Sequence, residues 1–155
     1  MEYQNRVFKV PNLTIFFKHT DYHGYVHPYN YFEWTSFVRE AFFQETVHNF
    51  QQVLDRPIKM MTVKIELALV GDSTFGDILE ARLTVGKIKK VSFDMIIRFY
   101  NNQKNKIVCE TTHTVVFVDF ETGIFADIPE EMKKVIVNYP ELKAQTTPQN
   151  ARSKL

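Results

Sequence analysis

The chain has 155 residues, 45% hydrophobic and 24% charged, a length and composition that suit one domain with a sizeable core. Its formal charge of +1 gives no electrostatic case for nucleic acid, and no apolar run reaches the roughly 18–20 residues of a membrane span. A single cysteine, Cys109, excludes an intrachain disulfide and a cysteine cluster for zinc. The opening MEYQNRVFKV lacks the apolar centre of a signal peptide, so a cytoplasmic protein is expected.

In chain order, residues 7–18 alternate imperfectly and contain Pro11, which predicts a strand with an irregular or edge-like start. A polar loop follows, and His27-Pro28 marks the entry to a helix predicted over 29–48. At 100° per residue, Tyr31, Trp34, Phe37, Val38, Ala41 and Phe42 share an arc of roughly 140°, wide enough for a buried face. Residues 49–58 read as a connector. Residues 59–70 place Val63, Ile65, Leu67 and Leu69 on one face, the pattern of a half-buried strand. Two further alternating runs, 78–90 and 91–100, precede the polar turn 101–105. A strand over 106–119 completes a hairpin. Pro129 opens a short helix with acids first and lysines later, as the helix dipole prefers. Residues 1–140 read as a single domain and 141–155 as a flexible tail.

One strand, one long helix and then four strands in antiparallel succession indicate an α+β layer rather than a doubly wound fold. The only long apolar helix is 29–48, so the sheet has to curl around it.

The stretch HTDYHGYVHPYNYFEW carries the chemistry. Asp21 sits in a loop that leads into the helix start, where free N–H groups and the positive dipole end favour an anion. Asp is equally at home as a turn or capping residue. His19, His23 and His27 have the four-residue spacing of ligands on one helical face, but Gly24 and the loop argue against a helix there, so no metal site is expected. Cys109 and His113 share one face of the last long strand with Val115 and Phe117; a buried core thiol and a satisfied core or interface histidine are expected.

With Asp21, Gly24, Val26 and Tyr31 at D-x-x-G-x-V-x(4)-Y, the chain resembles the hotdog-fold thioesterases of the 4-hydroxybenzoyl-CoA thioesterase type over about residues 7–137. Asn30-Tyr31, Trp34 and Arg39-Glu40-x-Phe42 place it nearest the thioesterases of enediyne and related polyketide pathways. The resemblance implies a hotdog fold, a curved antiparallel sheet of five or more strands wrapped around one long central helix. It implies hydrolysis of an acyl-CoA or acyl-carrier-protein thioester without cofactor, and a homodimer assembling into a homotetramer. In the hydroxybenzoyl-CoA type the position of Asp21 is the catalytic carboxylate. In the enediyne branch that position is usually Asn, and the Arg matching Arg39 contributes to the oxyanion site. The catalytic pair implied is therefore Asp21 and Arg39, with His27, Tyr29, Asn30 and Tyr31 against the substrate. The backbone donor of the hydroxybenzoyl-CoA type aligns with Pro28, which has no N–H, so Tyr29, Arg39 or a side chain has to replace it. A hotdog dehydratase and a non-catalytic acyl-binding hotdog module are the rival readings. The dehydratase's His and acid arrangement is not visible, and keeping Asp21 in the motif favours catalysis over the module.

Overall fold

The computed structural model describes residues 5–141. The strands are β1 (Phe8–Thr14), β2 (Ile58–Leu69), β3 (Ile78–Ile88), β4 (Ser92–Asn101), β5 (Lys106–Asp119) and β6 (Ile124–Phe125). The helices are α1 (Tyr29–Thr46), α2 (Phe50–Leu54) and α3 (Glu130–Ile136). All strand pairs are antiparallel, and the sheet runs β1-β3-β4-β5-β2 with β6 extending β5. This is the α+β hotdog architecture, a curved sheet with α1 packed in its concave face. Of the expected tail only Glu141 lies among the described residues, with its N–H donating to Val85 and its carboxylate accepting from Arg98.

α1 is the core of the molecule because its inward residues meet the inward residues of three strands. Tyr31 packs edge-on against Phe99 of β4, and Phe42 packs against Phe8 of β1 and Tyr139. The strand registers put Ala81, Phe99, Cys109 and Leu69 in one cross-sheet row. The next rows are Leu83, Ile97, Thr111 and Leu67, then Val85, Met95, His113 and Ile65.

Four expectations are corrected. First, the buried face of α1 is rotated from the apolar arc. Tyr31, Thr35, Val38 and Phe42 are buried, whereas Phe37 is 56% exposed. Thr35 can go inside because its hydroxyl meets that of Thr111 at 2.8 Å, and a buried hydroxyl that is paired loses its penalty. Second, α1 stops at Thr46, and the supposed connector holds α2. Asn49 adopts a left-handed conformation (φ 55°) that breaks the helix and restarts it, burying Phe50 and Val53. Third, the four later strands are not in simple succession, because β2 crosses to the far edge beside β5. Fourth, Val63, Ile65 and Leu69 of β2 are exposed by 44–57% rather than half-buried. β2 is an outer strand, and a bulge at Val63 shifts its register so that Met60 and Thr62 before it, and Ile65 and Leu67 after it, point to the same face.

β1 behaves as Pro11 predicts. It is the opposite edge, with a register shift between Val10 and Leu13 around a left-handed Asn12, and it ends at Thr14 before a single 3-10 turn over Phe17–His19.

Candidate active site

The loop between β1 and α1 closes on itself. Thr20 and Val26 form a bridge, the Asp21 N–H donates to the Tyr25 carbonyl (2.8 Å) and the Gly24 N–H donates to the Asp21 carbonyl (3.0 Å). Gly24 sits at φ +83°, which a residue with a Cβ reaches only with strain. The Asp21 side chain completes the turn: Oδ1 accepts the His23 N–H at 2.8 Å and the Tyr25 N–H at 3.1 Å. The Tyr25 hydrogen bond holds its pKa below the usual carboxylate value. The His23 N–H and the positive charge of His23 and His27 add to this, and burial works against it. Both turn bonds fall on Oδ1, which leaves Oδ2 as the oxygen the turn does not use.

Asn30, 3% exposed, holds this loop to the helix: its amide nitrogen donates to the carbonyls of His19 (2.8 Å) and His27 (3.0 Å), one at each end of the loop. On the other side Val26 N–H donates to Ser73 and Phe75 N–H to Gly24, so the β2–β3 connection is the loop's second support. Asn30 was expected to face substrate; both of its amide protons are already spent on the loop.

Pro28 is the cap residue of α1, and the turn bonds Asn30 N–H to His27 and Tyr31 N–H to Pro28 use the next two donors. The Tyr29 N–H is thus the helix-start donor left without a backbone acceptor among the described residues. The Tyr29 ring, 60% exposed, stacks on His27 with centroids 5.3 Å apart. His19 is committed elsewhere, since its Nδ1 accepts the Phe16 N–H and its ring packs on Trp34.

An open cleft of about 350 Å³ lies beside the loop, lined by Tyr25, Val26, Tyr31, Leu69, Asp72 and Ser73. Tyr31, 1% exposed, donates its hydroxyl proton to Ser73 Oγ at 2.7 Å, and burial raises its pKa far above any working pH. Ser73 escaped the sequence reading because nothing in a turn GDS announces a partner 42 residues away. Cys109 lies close to Tyr31 and is fully buried, which pushes its thiol up to about 12 and keeps it protonated, the core thiol expected of it.

Arg39 is elsewhere. Ten residues of helix separate it from Tyr29, about 15 Å of rise, so one chain does not bring Asp21 and Arg39 together. Its Nη1 donates to Thr62 Oγ1 at 2.9 Å, Nη2 lies 3.4 Å from Glu40, and the buried Nε has no partner among the described residues. The side chain is only 17% exposed. Beside it His113 is buried, but neither ring nitrogen finds a partner among the described residues. Burial, reinforced by the Arg39 charge, lowers its pKa to about 4.

Residues 16–136 match the family model of the thioesterase-like superfamily. The chain belongs to this superfamily. No curated protein matches the sequence. Among solved structures, the dynemicin thioesterase superposes with a TM-score of 0.77 at 16% identity, over 88% of this chain and 97% of that one. YbaW, a probable thioesterase of Escherichia coli, gives 0.71 at 16% identity over 86% and 97%. The hypothetical protein SAV2348 of Staphylococcus aureus, solved in complex with CoA, gives 0.79 at 13% identity over 100% and 98%. At these identities the likeness is one of fold. The family match takes in the Asp21 loop, α1 and the whole sheet from β2 to β5.

Proposed function

We propose that the protein hydrolyses an acyl thioester, of coenzyme A or of an acyl carrier protein, to the free acid and thiol. Membership of the superfamily supports thioester hydrolysis as the activity class. The observation that carries the residue-level reading is the Asn30 clamp, which fixes a carboxylate loop against the Tyr29 end of α1 beside an open cleft. Thioester hydrolysis needs an oxygen nucleophile and a donor for the developing oxyanion. Asp21 Oδ2 supplies the first, attacking the carbonyl carbon itself or taking the proton of an attacking water. In either case the C–S bond breaks and the thiolate leaves to be protonated; after direct attack, water then hydrolyses the mixed anhydride and returns the Asp21 carboxylate. The Tyr29 N–H supplies the second. Tyr31 forms part of the cleft wall, and the stacked rings of His27 and Tyr29 at the helix start would meet the substrate beyond it.

A second reading is favoured by the buried, unpartnered Nε of Arg39. There Arg39 holds the oxyanion, in the manner implied by the enediyne resemblance, and Asp21 serves the turn. The outer strand β2, with Met61, Val63, Ile65 and Leu69 exposed, supports assembly through that edge into a dimer and then a tetramer.

Free-thiol release from a panel of acyl-CoAs and acyl carrier proteins tests the function, with Asp21→Asn and Arg39→Ala run in parallel. Turnover that collapses in Asp21→Asn supports the loop-carboxylate mechanism; turnover that survives there and collapses in Arg39→Ala supports the second. Tight acyl binding with no thiol release from any substrate would refute hydrolysis and return the acyl-binding module.

A further inference from the structure

The seam between α1 and the β5–β2 edge is polar where the rest of the concave face is hydrocarbon. α1 rises about 6 Å per four residues and β5 about 6.6 Å per two, so the two elements advance in step. Tyr31 stands by Cys109, Thr35 bonds Thr111, and Arg39 bonds Thr62 with His113 beside it. The first two levels are internally satisfied and the third is not. His113 is 2% exposed, flanked in its row by Met95 and Ile65, and both ring nitrogens lack a partner among the described residues. The Nε of Arg39 is buried and unpartnered as well. Buried polar atoms are almost always paired, so two such groups side by side call for a third group that pairs them. The seam is not sealed there. Arg39 retains partial exposure, and Thr62 to Glu66 of β2 are all exposed.

We propose that Arg39, Thr62 and His113 form a subsite for a hydroxyl group on the acyl portion of the substrate, making the enzyme selective for hydroxyacyl thioesters. The proposal rests on the thioesterase reading and deepens it. A neutral imidazole offers one N–H and one bare nitrogen, and the guanidinium Nε offers a second N–H. A hydroxyl oxygen accepts the Arg39 Nε–H while its proton goes to the bare nitrogen of His113, so one group pairs two of the three unpaired atoms at once, the N–H of the imidazole being the third. A hydrocarbon chain in the same place satisfies neither and keeps water from doing so. Sites built in this way discriminate strongly against the analogue that lacks the hydroxyl.

The test uses acyl-CoAs of one chain length, unsubstituted or with a hydroxyl scanned along the chain, and reads the ratio of kcat/KM for the best hydroxyacyl substrate over the unsubstituted one. The ratio expected for the wild type is about 10²-fold. In His113→Leu it falls to near one, and in His113→Gln, which keeps polar atoms, it is partly retained. The Gln variant carries the test should the Leu variant unfold. A wild-type ratio near one at every position, or a ratio that survives in His113→Leu, overturns the subsite and leaves the hydrolase reading untouched. If no thioester is cleaved, the hydrolase reading is the one that fails. The same ratio is then read from dissociation constants, under the same two criteria for the subsite.

Discussion

Replacing Asn30 by Ala removes the two hydrogen bonds that tie the ends of the Asp21 loop to α1. Each is between neutral groups in a partly buried setting and is worth about 1 kcal/mol net, so the loop loses about 2 kcal/mol of docking energy. The carbonyls left behind keep one partner each, His19 from the His27 N–H and His27 from the Asn30 N–H, so no bare acceptor is created and the damage stays local. About 2 kcal/mol corresponds to a roughly 30-fold larger opening constant for the loop. Hydrogen exchange reads this directly: the Asp21, Val26 and His27 amides, which close the loop on Tyr25, Ser73 and His19, should exchange about 30-fold faster, while those of β4 and β5 barely change. Thiol release should fall in parallel, because the carboxylate is no longer held at the helix start. Unchanged exchange at those three amides, or an equal acceleration across β4 and β5, would refute the clamp. Full turnover with a loosened loop would detach the loop from the chemistry.

Asp21→Asn keeps an oxygen for the His23 and Tyr25 N–H groups and should leave the fold intact while turnover collapses. Because the folded loop lowers the Asp21 pKa, the wild-type activity should persist on acidification to below the ordinary aspartate value of 3.8 before this group is lost, provided the protein stays folded. Arg39→Lys keeps the charge but not the planar fork, and if Arg39 holds the oxyanion, turnover should drop about 10²–10³-fold; a wild-type rate would leave Arg39 as a structural tie to Thr62. His113 is lowered from 6.5 to about 4 in the fold, so its neutral form is stabilising above pH 6.5 and that contribution disappears as pH falls toward 4, a loss of roughly 3 kcal/mol. Chemical denaturation across that window should show the slope, and His113→Leu should flatten it; an identical slope in the variant would clear His113. Light scattering should find no stable monomer near 18 kDa, the mass of one chain, and a monodisperse active monomer would remove assembly through β2.

The fold was legible because its strongest signals were periodic. The 29–48 apolar arc, the alternating runs of β3 to β5 and the polar turn at 101–105 each reflect burial that repeats every few residues. What stayed hidden was whatever depends on pairing across the sheet. Nothing in the sequence of β2 says that it lies beside β5 rather than β3, and a strand placed at the edge exposes Val63, Ile65 and Leu69, which would be core in the middle. Thr35 is buried through Thr111, 76 positions on, while Phe37, apolar and on the nominal face, is left outside. At the candidate site the sequence pointed to the Asp21 loop and the start of α1, which the structure holds together through Asn30. It could not distinguish a side chain that faces substrate from one that builds the loop, since Asn30 and Asp21 make their hydrogen bonds to backbone atoms that carry no sequence signature.

The separation of Asp21 from Arg39 limits how the two chemistries can combine. The two residues match different branches of the family, and their presence in one chain invites a single site containing both. The fold keeps them apart within one chain, because the Asp21 loop is anchored at the start of α1 and about 15 Å of helix rise separates Tyr29 from the Arg39 backbone, whose side chain is tied to Thr62. Each nevertheless has local support that the other lacks. Asp21 has a helix-start donor and an open cleft nearby, and Arg39 has a buried unpaired nitrogen next to an unpaired histidine. If one carbonyl uses both, the Arg39 that reaches the Asp21 loop must belong to a second copy, and an active monomer is then impossible. If an active monomer exists, only one of the two residues acts on the thioester, and the single variants Asp21→Asn and Arg39→Lys say which. Assembly and mechanism are for this reason one question, and the monomer's activity decides it before any substrate is identified in detail.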